Sequence, residues 1–219
     1  YDALAIGENE ILFGRKRLSE AAKRSDLGLV SANITQKKTN KALAAHYEIK
    51  ELGGTNLLFT RIGALKVGIF SVVQPSMIYS ADRLTRDYYE IEDPQLAALR
   101  AASELREMGC HLVIALSHQI WDRSMQLAEK VPGIDIVISS HRIKADTYSE
   151  RFGGTLLVGP GEMKTSLSEI IVDRINGEWQ MSAIDRGEEL LELADHPEFK
   201  RIEKEYESIS KKKPLKERQ

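Results

Sequence analysis

Short apolar runs alternate with charged, helix-forming stretches along most of this chain. Residues 112–116 (LVIAL) and 134–138 (IDIVI) are almost continuously apolar, and 155–158 (TLLV) repeats the pattern. Such runs, bounded by turn residues, read as strands buried on both faces. Between them, 94–108 reads as a helix: Asp93 is placed to cap it, Pro94 occupies its first position and Gly109 follows its last turn. Leu96, Leu99 and Ala102 are its predicted apolar face. A second helix over 123–131 stops at Pro132-Gly133. Earlier in the chain, Leu4-Ala5-Ile6 leads into Gly7 as the end of a strand. A helix follows over 15–26, with Leu18, Ala21 and Ala22 on one face, and a strand over 29–34. Residues 57–62 and 65–73 flank Gly63-Ala64 and are predicted to pair with each other in antiparallel fashion. Residues 167–175 and 178–185 flank Asn176-Gly177, a strong signal for a type I′ hairpin. A terminal helix is predicted over 195–209, with Asp195 as cap, His196 and Pro197 in its start and Phe199, Ile202, Tyr206 and Ile209 as a narrow apolar stripe. The strand–helix–strand order predicts an α/β sandwich.

At 219 residues the chain is long enough for one large domain or two small ones. Its apolar share of 42% and charged share of 29% are ordinary for a globular protein. A net charge of -2 gives no whole-chain reason to expect nucleic acid or an acidic membrane as partner. No apolar run approaches the ~18 residues of a membrane span. The single cysteine, Cys110, excludes an internal disulfide and a thiolate cluster, and is expected to be a buried, inert thiol. No Gly-rich phosphate loop is present. The chain opens on Tyr1 with no signal peptide, which reads as a processed or partial product.

Polar residues just past the carboxyl ends of buried strands are where sites of this architecture usually form. Three such points stand out: residues 7–10 (GENE), 117–118 (SH) and 140–141 (SH). Imidazole and carboxylate together suit Zn, Mn or Fe, and two metals sharing ligands suit phosphoester hydrolysis. Spacing alone leaves these residues equally readable as polar loop positions. His46 and His111 have no motif around them and are assigned to solvent or helix boundaries. Trp121, with Asp122, follows His118 and is expected to be a packed aromatic.

The ordered set of segments narrows the choice. DPQLAALRAASELREMGCHLVIALSH at 93–118 is similar to the stretch of 5′-nucleotidases that leads into their "ALSH" metal histidine. DIVISSH at 135–141 resembles their "DIVIGGHSH", and YDALAIGENEILFG at 1–14 resembles "YDAxxxGNHEFDxG". LVSANI at 29–34 and GTLLVGPG at 154–161 resemble family segments in the same order. The chain therefore resembles the 5′-nucleotidase branch of the calcineurin-like metallophosphoesterases over most of residues 1–185.

This resemblance implies a metallophosphoesterase-like αββα sandwich, incomplete at the N-terminus, over residues 1–190, followed by a helix and basic tail over 195–219. It implies that His118 and His141 are ligands of one metal. Glu8 stands at the place of a metal-binding Asn, and Asn9 at the place of a His that stabilises the attacked phosphate. Ile143 stands where a further His ligand belongs. The family's Asp-x-His and Gly-Asp motifs fall before Tyr1, and its nucleotide-recognition domain after Gln219. The implied cofactor is a divalent metal, Zn or Mn, where the site is completed, and none where it is not. The implied substrate is a phosphomonoester or nucleotide, and the implied location is periplasmic, cell-surface or extracellular. With three departures at the chemical centre, the expected function is an impaired phosphoesterase. The alternative is a non-catalytic binding or scaffold domain, joined to another domain or protein through the terminal helix.

Overall fold

The computed structural model describes residues 1–13, 15–25, 27–57, 60–81, 85–140, 148–159, 168–186 and 197–212. Two short strands, β1 (Ala3–Ala5) and β2 (Gly28–Val30), pair in parallel around helices α1 (Glu8–Phe13) and α2 (Arg15–Ser25). Next come β3 (Ile34–Gln36), β4 (Lys41–Ala42), β5 (Tyr47–Leu52), β6 (Thr55–Leu57), β7 (Thr60–Ile62) and the long β8 (Leu65–Val73). Helices α3 (Pro75–Ala81) and α4 (Thr85–Tyr88) lead through β9 (Tyr89–Ile91) into α5 (Pro94–Glu107). The second half runs β10 (Leu112–His118), α6 (Trp121–Lys130), β11 (Ile136–Ser139), β12 (Tyr148–Phe152), β13 (Thr155–Gly159), the hairpin β14 (Ser168–Ile175) and β15 (Glu178–Asp185), and α7 (Pro197–Lys212).

The core is a six-stranded sheet in the order β12-β13-β11-β10-β8-β5. Its four inner strands are parallel, and both edge strands run against them. Successive side chains of a strand point to opposite faces. Phe70, Val72, Val113, Ala115, Val137 and Leu157 therefore pack under α5 and α6. Their neighbours Val67, Leu112, Ile136, Leu156 and Val158 lie on the other face, where Ile170, Val172, Trp179 and Met181 of the β14–β15 hairpin join them. The hairpin turns as predicted, with positive φ at Asn176 (53°) and Gly177 (87°). Cys110 is buried, and burial pushes its thiol pKa up, as expected of an inert thiol.

Helix α5 is capped as predicted: Asp93 Oδ1 accepts from the Gln95 and Leu96 amides at 2.9 and 3.1 Å. Its buried face differs from the prediction. Ala97, Ala98, Ala101, Ala102 and Leu105 point inward, while Leu96 and Leu99 are 60% and 45% exposed. Small alanines let the helix axis come close to the sheet, and the one large inward residue, Leu105, needs a glycine beneath it. A Cβ on Gly68 would lie 2.7 Å from Leu105 Cδ2.

Two strand predictions are also corrected. The run 57–62 does not pair with β8: its ends fall in β6 and β7, which pair with each other, and β8 takes β5 as its antiparallel neighbour. Glycines 53, 54 and 63, all at positive φ, allow this extra turn. The run 29–34 splits into β2 and β3 because Asn33 leaves the ladder. Its buried amide donates to the carbonyls of Val73 and Glu92 at 2.9 and 3.0 Å, and its Oδ1 accepts from the Val73 amide at 3.0 Å. The side chain thus closes the end of β8 as a strand neighbour would. The predicted cap Asp195, with His196, lies outside the described residues, as do His141 and Ile143.

Candidate functional site

The carboxyl ends of β10 and β11 deliver the residues singled out in the sequence. Strand parity sends Ser117 and Ser139 to the helix side. There Ser124 of α6 sits between them, its Oγ 2.8 Å from Ser117 Oγ and 3.0 Å from Ser139 Oγ. Gln119 Nε2 donates to Ser117 Oγ at 3.0 Å. These buried hydroxyls hold the two strand ends to α6 and to each other. The next residues, His118 and Ser140, emerge on the opposite face. Their backbone is fixed by the Gln74 amide donating to the His118 carbonyl and the Ser140 amide to the Ser117 carbonyl, both at 3.0 Å.

Glu8 reaches this point from the start of α1. Its Oε2 is in direct contact with His118 Nε2, and Ser140 Oγ lies 3.0 Å from His118 Nδ1. Both nitrogens of the imidazole thus face another side chain. The pair is sheltered, with side chains 15% exposed for His118 and 24% for Glu8. Gly7 makes the close approach possible, because a Cβ there would lie 2.9 Å from both Cε1 and Nε2 of the ring. Glu10 is engaged elsewhere, its Oε2 accepting from the Gly7 amide at 2.9 Å.

Of the residues the sequence singles out, Glu8 and His118 come together. Asn9 is exposed on α1, and His141 lies outside the described residues. Trp121, the first residue of α6, packs partly buried against the core. His111 is a structural residue whose Nδ1 accepts from the Lys66 amide at 3.0 Å. Sequence reasoning had Gly7 and Ser140 inside the segments it singled out but gave neither a role of its own. The signal was present in the paired Ser-His steps at the ends of two neighbouring parallel strands, where parity puts one residue of each step on each face.

A borderline metal such as zinc is usually held by three or four side chains. Among the described residues no group of three or more His, Cys, Asp or Glu side chains gathers to hold an ion. The two donors that meet, Glu8 and His118, are bonded to each other. The described residues therefore do not by themselves make a metal centre of the kind the resemblance implies.

No family model matches the chain. It is 26% identical over 204 residues to the 2′,3′-cyclic-nucleotide 2′-phosphodiesterase/3′-nucleotidase of Salmonella typhimurium, covering 81% of this chain and 31% of that protein. It is also 26% identical over 142 residues to the snake venom 5′-nucleotidase of Crotalus adamanteus, covering 64% and 23%. The chain thus spans about a third or less of the length of these relatives. Among solved structures, the sulfate thiohydrolase SoxB of Thermus thermophilus superposes with a TM-score of 0.77 at 18% identity, over 96% of this chain and 37% of that one. The calcineurin-like phosphoesterase YfkN of Bacillus subtilis gives 0.68 at 20% identity, over 84% and 64%. This chain has the calcineurin-like phosphoesterase fold and is related in sequence to the 5′-nucleotidases and cyclic-nucleotide phosphodiesterases.

Proposed function

We propose that this chain is a metallophosphoesterase-like domain, related to the 5′-nucleotidases, whose phosphomonoester hydrolysis is impaired. One observation carries the reading: Glu8 Oε2 contacts Nε2 of His118, a residue that the resemblance implies is a metal ligand. A carboxylate there puts negative charge where the relatives have a neutral amide. Asn9, in place of a histidine, offers a hydrogen bond but neither a cation nor a proton donor near neutral pH. Ile143 removes a ligand outright. His118 and His141 are the residues that would hold a divalent ion, Zn or Mn, were the site completed. A phosphomonoester or nucleotide would then be the substrate, and the snake venom relative's name favours an exported location.

The second reading is a non-catalytic scaffold or binding domain over residues 1–190, with 195–219 as its connection to a further domain or protein. It is favoured by α7, whose described side chains are all exposed, Ile202 by 54%. No helix among the described residues is long and apolar enough to cross a membrane.

The test is turnover of p-nitrophenyl phosphate and adenosine monophosphate by the full chain with added Zn²⁺ or Mn²⁺. The native chain is expected at background, and Asn9→His with Ile143→His is expected to raise the rate. A native rate in the common enzyme range of about 1–1000 per second overturns the reading.

A further inference from the structure

The geometry points to a binding site on the helix side of the sheet: the groove between the ends of β8 and β10 and the first turns of α5 and α6 takes a small, neutral, polyhydroxylated molecule, the size of a single sugar ring. The inference goes beyond the phosphoesterase reading and is independent of it, because the groove uses none of the residues that the resemblance assigns to a metal.

Gln74 and Ser76 follow β8 into this groove, Gln119 follows β10, Gln95 opens α5, and Arg123 lies in the first turn of α6. Strand parity puts Gln119 on the side of Ser117 and away from His118. The groove has a volume of about 340 Å³, at the small end of the range of about 300–1000 Å³ in which ligand pockets fall.

The observation that points to a ligand is the state of Gln119, which is 3% exposed. Its Nε2 donates to Ser117 Oγ at 3.0 Å. Ser124 Oγ donates to Ser139 Oγ, so the Ser117 hydroxyl gives its own hydrogen to Ser124 and can only accept from Gln119. The buried serines thereby fix the amide, with its nitrogen toward Ser117 and its oxygen away. Oε1 has no hydrogen-bond partner among the described residues. No side-chain nitrogen or oxygen of those residues is both sealed from solvent and unpaired. Oε1 is therefore open, and the open space beside this side chain is the groove. An acceptor held this rigidly is met by a ligand without further ordering of the protein, which is the advantage of a preorganised site.

The rest of the lining sets the chemistry of the ligand. Asp93 gives Oδ1 to two amides of α5 and has Oδ2 to spare. Gln74 Oε1 accepts from the Ile120 amide at 3.3 Å, and Gln74 Nε2 donates to Ser76 Oγ at 2.8 Å, which leaves the Ser76 hydroxyl hydrogen to donate. Arg123 gives Nη1 to Gln126 Oε1 at 3.0 Å and keeps its other N–H groups. Donors and acceptors thus face one space, with one carboxylate and one guanidinium. An anion meets Asp93 and the Gln119 oxygen, and a cation meets Arg123. A hydroxyl donates and accepts at once, so several hydroxyls on one small ring match the mixed set. Pro75 and Pro94 offer apolar ring surfaces to its C–H groups.

The test titrates the full chain, with a chelator present, with D-glucose, D-ribose and myo-inositol, and separately with inorganic phosphate and putrescine. Side-chain amide ¹H–¹⁵N spectra give the site and the dissociation constant. At least one neutral compound should shift the Gln119 amide saturably. Gln119→Met, close in size but without the acceptor, should weaken that binding by about fivefold or more, the worth of one hydrogen bond. Because Gln119→Met also removes the bond to Ser117, the exposed Ser76→Ala and Arg123→Ala variants give a second reading. Each should weaken binding by roughly twofold or more, while circular dichroism reports an unchanged fold. No saturable shift with any of the three neutral compounds overturns the inference. Tighter binding of phosphate or putrescine than of every neutral compound overturns it too, as does an affinity that all three variants leave unchanged.

Discussion

Strand β10 is preceded by one histidine, His111, and closed by another, His118, and the two are used differently. At the entry, His111 Nδ1 accepts from the Lys66 amide, and Arg106 Nη1 donates to the carbonyls of Cys110 and His111 at 3.1 and 2.9 Å. Asp135 takes Arg106 Nη2 at 2.5 Å and the Val113 amide at 2.6 Å. These side chains tie down backbone groups that begin the strands. At the exit, His118 meets Glu8 and Ser140, side chain to side chain, at the solvent boundary. The same residue type thus takes part in a backbone clamp at one end and in side-chain contacts at the other. What separates them is whether the histidine's partner is a peptide group or another side chain.

The largest effect should come from the clamp. Asp135→Ala leaves the Arg106 guanidinium and the Val113 amide without their carboxylate, and should cost about 2–3 kcal/mol of stability. Urea denaturation reads this as a lower midpoint. Next comes Gly68→Ala, which forces a methyl group into Leu105 within the closed core and should cost about 1–3 kcal/mol. Gly7→Ala makes the matching intrusion at the His118 ring. There the ring can swing toward solvent, so the stability loss should be about 1 kcal/mol or less. Equal stability losses for the two glycine variants would erase the contrast between core and rim.

The smallest effect should come from Arg100 and Glu92, an exposed pair at 2.6 Å. Hydrogen bonds from Arg100 hold the Glu92 carboxyl below the usual carboxylate range, against the opposing pull of partial burial. A depressed folded pKa contributes stability above the pKa of the unfolded carboxyl and loses it as pH falls through the folded value. Arg100→Met should therefore cost less than about 1 kcal/mol near neutral pH, given how exposed the pair is. In paired urea curves that difference should shrink toward zero in acid.

Much of this fold was legible because the relevant signals are local. Asp93-Pro94 fixes the start of α5, Asn176-Gly177 fixes a hairpin, and continuous apolar runs fix β10, β11 and β13. The failures share a cause in tertiary packing. Leu96 and Leu99 have helical spacing, but the sheet accepts the alanine face because Gly68 leaves room for only one large side chain. Asn33 looks like a strand residue until its amide is seen to finish β8. At the site, Glu8 and His118 are separated by more than a hundred residues, and only the resemblance placed them in one centre. Their direct contact, and the roles of Gly7 and Ser140, depend on side-chain distances that no motif encodes.

The most direct test of the central claim is a long-range ¹H–¹⁵N spectrum of the His118 imidazole in the full chain, recorded without and with equimolar Zn²⁺. The account predicts a ring held by Glu8 and nitrogen resonances that zinc does not move. A stoichiometric zinc-dependent shift of the His118 nitrogens would contradict it, because the imidazole would then be serving a metal and not the carboxylate.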